Sequence, residues 1–208
     1  MSRLKNMSIK EHHIKKISFV QSLLELLPFN EWNNTLLEEA EEKCGFAKGY
    51  ALIVFPDGLS EIIEFFESYL DNIMLERLKT IEEPTKIRDK ISLAVKIRIK
   101  TMLPIMQSKN AAYFALNPMQ GTEVAFRSCD AIWRYTGDKS IDFNYYTKRG
   151  LLLSVYISSI LFYIQDESEN YIETDQFIDT AVENIVNTFS QMKKLLDPSN
   201  IPIVRMFT

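Results

Sequence analysis

Apolar residues recur at three- and four-residue spacing along most of this chain, which is the period of an amphipathic helix. Ile14, Ile17, Val20, Leu23, Leu24 and Leu27 form one such stripe, and Pro28 ends it. Asn34 or Thr35 is placed to cap a second helix through Leu36, Leu37, Ala40 and Cys44, with Gly45 closing it. A short third segment at 47–54 runs into the turn sequence Phe55-Pro56-Asp57-Gly58. Leu59, Ile62, Ile63, Phe66, Leu70, Ile73, Met74 and Leu78 then predict a long helix, with Glu61, Glu64, Glu67 and Asp71 facing water.

After Pro84 two periods compete. Residues 95–100 alternate like a strand, but Ile87, Ile91, Ala94, Val95 and Met102 fit a helix over the longer window, and helix ending at Pro104 is the preferred reading. A short helix at 111–116 follows, then Pro118 and Gly121, then a helix at 122–135 and a turn at Gly137-Asp138. The next stretch has two unlike halves. Residues 142–149 are polar and aromatic, whereas 150–164 are apolar except for Ser154, Ser158 and Ser159. This predicts a buried helix entered through an exposed, charged, aromatic head. Thr174 is placed to cap a last long helix that buries Phe177, Ile178, Ala181, Val182, Ile185, Val186, Phe189 and Met192. Pro198 and Pro202 keep the tail irregular. The fold class is all-α.

Composition narrows the class further. An apolar fraction of 46% over 208 residues suits a globular chain with a sizeable core. The net charge of −4 speaks against nucleic acid as the main partner. Cys44 and Cys129 lie far apart, which fits a reducing compartment better than a disulfide framework. The polar N-terminus lacks the apolar core of a secretory signal. Residues 151–164 fall short of the roughly 20 apolar residues that a membrane-spanning helix needs.

The inventory for catalysis is thin. His12 and His13 are adjacent, and neighbours on a helix do not share a face, so they make no paired metal site. Neither cysteine has a base beside it in sequence, and no glycine-rich phosphate loop is present. Non-catalytic binding is the reading that remains. Met102, Met106, Phe114, Phe126 and Trp133, with Leu152, Val155 and Tyr156 of the apolar stretch, are the candidate lining of an apolar cavity. A core rich in Met and Phe is the plainer alternative, and composition alone favours it. The six basic residues Lys86, Arg88, Lys90, Lys96, Arg98 and Lys100, set against Asp89, suggest a positive face that is either solvated or turned to phospholipid.

The order of the first elements resembles the N-terminal part of the TetR regulator family. A helix that reads DNA needs polar or basic side chains at the base edges. Residues 47–54 offer only Lys48 and Tyr50, and the first 56 residues balance seven basic against seven acidic side chains. The expected shape is a helix-turn-helix-like part at 14–58 without a DNA-reading surface. A larger helical ligand-binding part at 59–197 and a tail at 198–208 complete the division. A TetR-type regulator with a small-molecule pocket is the second reading, and an enzyme of unrecognised type the third.

The segment Asp142-Phe143-Asn144-Tyr145-Tyr146-Thr147-Lys148-Arg149 carries a more specific likeness. With Trp133-Arg134-Tyr135-Thr136-Gly137-Asp138 before it and Gln165-Asp166-Glu167-Ser168 after it, it resembles the ubiquinone biosynthesis accessory protein family, the ninth of the Coq series. The resemblance is collinear from about Ile17 to Leu196. It implies a TetR-like fold that holds an isoprenoid quinone precursor or a phospholipid, without a cofactor. It implies a homodimer at the membrane surface that assists the demethoxyubiquinone hydroxylase. Carried onto this chain, the docking patch falls on Asp142, Tyr145 and Tyr146, with Arg149 beside them. The family often has Trp where Tyr145 stands, and Tyr145→Lys is expected to weaken docking while leaving the fold intact. Better-known members end in an amphipathic helix; here the residues after Leu196 leave room only for a short apolar contact, with Lys96, Arg98 and Lys100 as the alternative membrane face. The short start before the first helix suggests a bacterial cytoplasmic protein, peripheral to the inner membrane.

Overall fold

A computed structural model describes residues 2–102 and 118–196, with side chains over 10–102 and 118–191. Among the described residues there are eight α-helices, one 3-10 turn and no strand, so the all-α expectation holds. The helices are α1 (Ser2–Leu26), α2 (Asn34–Lys43), α3 (Ala51–Val54), α4 (Leu59–Lys79) and α5 (Ile87–Thr101). They continue with α6 (Pro118–Tyr135), α7 (Phe143–Gln165) and α8 (Ile172–Leu196), the 3-10 turn Glu169–Tyr171 lying before α8. The strand-like alternation at 95–100 is helical, because the longer 3.6-residue pattern decides over a short one. The expected helix at 111–116 and the tail at 198–208 lie outside the described residues.

The chain divides into two compact units. One holds α1 to α3, most of α4 and the start of α6; the other holds most of α5, the rest of α6, α7 and α8. The division runs within α4, α5 and α6, whereas the sequence reading placed its boundary at residue 58.

In the first unit, Phe19, Val20, Leu23 and Leu27 of α1 are fully buried, as their spacing requires. Phe19 meets Phe46 and Phe55 at ring distances of 6.4 and 5.6 Å. Asn33, one residue before the predicted caps, is the N-cap of α2 and accepts a 2.9 Å hydrogen bond from the Leu36 amide. Asn33→Ala is expected to cost about 1 kcal/mol in urea denaturation, with no change if the cap is idle. Only Ala51–Val54 of the third segment is helical. Glu41 is buried and accepts from the amides of Gly49 (2.8 Å) and Ala51 (2.7 Å), so a carboxylate on α2 fixes the start of α3. Gly49 itself sits at φ +83°, a conformation that favours glycine.

Two expectations for charged positions are corrected. Glu67 and Asp71 of α4 are buried and do not face water, because the buried arc of α4 is wider than its apolar stripe. The positive face on α5 is not free either. Arg98 is fully buried, Lys96 pairs with Asp179, Arg88 with Glu183 and Lys90 with Glu83. Carboxylates from outside α5 neutralise the run that looked unopposed in sequence.

In the second unit, α7 packs on α8. Leu152, Val155, Tyr156, Ile160 and Tyr163 are buried on α7, and Ile178 and Val182 on α8. The rings of Phe162 and Phe177 stack at 4.7 Å. The cap of α8 is also corrected. Asp166, at the end of α7, accepts from both the amide (2.8 Å) and the hydroxyl (2.5 Å) of Thr174. Burial pushes the Asp166 carboxyl up, but those bonds and the ones from Ser168 outweigh it and hold it well below the usual range. Thr174 is therefore a donor to the cap and not the cap. The expected burial of α7 holds on one side and not on the other. Ile157, Leu161 and Ile164 are exposed, and their i, i+4, i+7 spacing makes them one face.

Candidate functional site

The turn between α6 and α7 gathers the polar residues of the second unit. Asp142 is the N-cap of α7 and accepts from the Asn144 amide at 3.0 Å. One turn further on, Lys148 and Arg149 diverge around Asp138. Lys148 Nζ donates to Asp138 Oδ1 (2.5 Å) and to Ser140 Oγ (3.0 Å). Arg149 Nη1 donates to Asp138 Oδ2 (2.5 Å), and its Nε donates to Asp130 Oδ1 on α6 (3.0 Å). Asp130 also takes Arg134 one turn along α6 at 2.7 Å.

This cluster is a scaffold as well as a surface. Arg149 is only 1% exposed, which corrects its assignment as a partner-binding residue: its guanidinium is used up by two carboxylates. Burial pushes the Asp138 carboxyl up, but hydrogen bonds from Lys148, Arg149 and Ser140 outweigh it and bring it down to about 2. Burial likewise raises Asp130, and the bonds from Arg134 and Arg149 win, so it too is lowered.

Tyr145 belongs to the scaffold. Its ring lies 4.1 Å from the Arg149 guanidinium, 6.3 Å from Phe126 and 5.0 Å from Tyr146. A lysine at 145 would face Arg149, so Tyr145→Lys is expected to disturb the scaffold as well as any docking. The exposed surface of the head is made instead by Tyr146 (66% exposed), Phe143 (67%) and Ile141 (94%). Phe143 and Ile141 were missed. The signal for Phe143 was its i, i+3 relation to Tyr146, which puts both on one side of the helix.

Beside the cluster lies a cavity of about 230 Å³, lined by Ile87, Trp133, Lys148, Leu151, Ile185, Val186, Phe189 and Ser190. Trp133 holds α6 to α7 through a 3.0 Å hydrogen bond from its Nε1 to the Lys148 carbonyl. The Lys148 ammonium lies over the rings of Trp133 (5.4 Å) and Phe189 (5.7 Å). Among the described residues of the predicted lining, Trp133 alone reaches this cavity. Leu152, Val155 and Tyr156 are buried on α7, where Leu151 provides the wall instead. Phe126 packs on Tyr145, Met102 is buried and belongs to the other unit, and Met106 and Phe114 lie outside the described residues. Among the described residues no group of three or more His, Cys, Asp or Glu side chains converges on a metal-sized site, and no helix is long and apolar enough to cross a membrane.

The second unit is thus an all-α scaffold with a ring-sized cavity and an exposed aromatic helix head. Residues 119–188, which span most of it, match the COQ9 family. The chain is 26% identical over 184 residues to a probable mitochondrial ubiquinone biosynthesis protein coq9 of Dictyostelium discoideum, covering 83% of this chain and 60% of the relative. It is also 26% identical over 175 residues to the mitochondrial ubiquinone biosynthesis proteins COQ9 of Bos taurus and Homo sapiens, covering 79% of this chain and 55% of each relative. The motif around residues 142–149 lies within the matched segment, so the resemblance read from it agrees with the family match and with these relatives. The chain spans somewhat over half the length of these relatives.

Proposed function

We propose that this chain is a non-catalytic accessory factor in ubiquinone biosynthesis. It holds an isoprenoid quinone precursor or a phospholipid, works at a membrane surface, and presents its lipid to the demethoxyubiquinone hydroxylase. The similarity to ubiquinone biosynthesis proteins over about four-fifths of the chain carries this reading. Mass spectrometry of lipid that co-purifies with the native protein tests it. An isoprenoid or phospholipid in near-stoichiometric amount is expected, and a protein that purifies free of lipid counts against it.

The arrangement proposed for the helices is TetR-like, with α1 to α3 as a helix-turn-helix-like part that no longer reads DNA. Leu52 and Ile53, both exposed on α3, support the loss: two aliphatic side chains stand where a reading helix needs donors and acceptors. Lys48, one of the two polar side chains of the segment, is paired with Glu38 at 3.0 Å.

The homodimer is proposed to form through the exposed face of α7. Ile157, Leu161 and Ile164 give a self-complementary stripe, and Ser154 and Ser158 keep one end of it narrow enough for a second helix to approach. Leu161→Glu is expected to yield a monomer by light scattering after gel filtration, with its melting temperature little changed. A dimer that persists would remove this face from the interface.

A further inference from the structure

We propose that the cavity beside Lys148 is a binding site for a compact aromatic ring that carries one anionic or strongly accepting oxygen, such as a phenolate or an aromatic carboxylate. Size is the first argument. A dry apolar cavity of about 150 Å³ accepts benzene, so about 230 Å³ accommodates a guest of roughly nine non-hydrogen atoms by the same ratio. That is one substituted ring. The walls are the second argument. Trp133 and Phe189 contribute flat faces and Ile185, Val186 and Leu151 aliphatic ones, which suits a flat apolar body.

The oxygen is assigned by Lys148. Its ammonium has three hydrogens, and among the described residues two have acceptors, Asp138 Oδ1 and Ser140 Oγ. The third is available to a guest. Asp138 does not neutralise it fully, because Arg149 shares the same carboxylate. Within the hydrogen-bonded cluster Lys148, Arg149 and Arg134 face Asp130 and Asp138, three cations against two carboxylates. An anionic oxygen at Lys148 completes the balance beside the rings of Trp133 and Phe189. The inference rests on the accessory-factor reading only in taking the natural guest to be the ring end of a quinone precursor.

The test titrates 4-hydroxybenzoate, toluene and hexanoate into the full chain carrying Trp32→Phe, so that the fluorescence followed is that of Trp133. Saturable binding of 4-hydroxybenzoate and of toluene is expected, with hexanoate weaker than either. Lys148→Met is expected to weaken 4-hydroxybenzoate at least tenfold and toluene less than twofold. Val186→Phe fills the cavity without touching the ion cluster and is expected to abolish both. Three results would each overturn the assignment: no saturable binding of 4-hydroxybenzoate by the Trp32→Phe chain, equal loss of both rings in Lys148→Met, or undiminished binding in Val186→Phe. Should Lys148→Met not fold by circular dichroism, the Trp32→Phe chain and Val186→Phe decide alone. Lipid that co-purifies with a chain unable to bind 4-hydroxybenzoate would sink this site and leave the accessory function standing. Ring binding in a chain that carries no lipid would do the reverse.

Discussion

Asp138→Asn is expected to destabilise the protein by about 3 kcal/mol at pH 7, the low end of what removing one partner of a buried ion pair costs. The substitution keeps the shape and removes the charge. The Asp138 side chain is 7% exposed and takes Lys148 and Arg149 at once. Asparagine leaves one neutral oxygen where Lys148 and Arg149 each had a carboxylate oxygen, and its NH2 group faces the other cation. The buried Arg149 guanidinium then has Asp130 as its one charged partner among these contacts. Asp142→Asn is the control, since Asp142 is exposed and asparagine caps helices as well as aspartate does. Urea denaturation checks both: a loss near 3 kcal/mol for the first and near zero for the second.

Acid supplies an independent check on the same residue. The carboxyl stands at about 2 in the fold against an ordinary 3.8. A lowered carboxylate contributes its stability above the ordinary value and loses it as pH falls through the folded value. The contribution of Asp138, on the order of 2 kcal/mol, is therefore complete at pH 5 and declines between about 4 and 2. Asp130 and Asp166 are lowered as well and add to the slope in the same direction. The gap between the unaltered chain and Asp138→Asn is expected to narrow over that window. A gap that stays constant with pH would mean that shape, not charge, holds the turn.

The helices were legible because each has a continuous apolar stripe, and the periodic signal survives local ambiguity. Residues 95–100 illustrate this, where a short strand-like alternation sits inside a longer helical pattern. The caps were less legible. Asn33, Asn34 and Thr35 are all competent caps, and only backbone geometry selects Asn33. Asp166 caps a helix that begins six residues later, beyond the range in which a capping box is read. Charged positions were the least legible. Arg98 and Lys96 looked like a free basic face because Asp179 is 83 residues from Lys96 in sequence. The same reason hid the burial of Arg149, whose partner Asp130 is 19 residues away. The aromatic head was found by its motif, but Tyr145 and Tyr146 could not be told apart from sequence. One lies against Arg149 and the other stands in solvent.

That difference decides which residue should matter for docking. A partner that binds the head of α7 meets Tyr146, Phe143 and Ile141, since Tyr145 is turned toward the scaffold. Aromatic side chains near the centre of an interface carry losses of about 2 kcal/mol or more when truncated. Phe143→Ala and Tyr146→Ala are each expected to weaken binding of the demethoxyubiquinone hydroxylase by roughly tenfold to thirtyfold, measured by surface plasmon resonance. The two sit one turn apart on the same face, so their effects are not expected to be additive. Both variants should melt within a degree or two of the unaltered chain, because exposed side chains contribute little to the core. Tyr145→Ala is expected to lower the melting temperature as well, through loss of the ring over Arg149. If Phe143→Ala and Tyr146→Ala bind the hydroxylase as tightly as the unaltered chain does, the head of α7 is not the docking surface. If the unaltered chain does not bind at all, the partner itself is wrong.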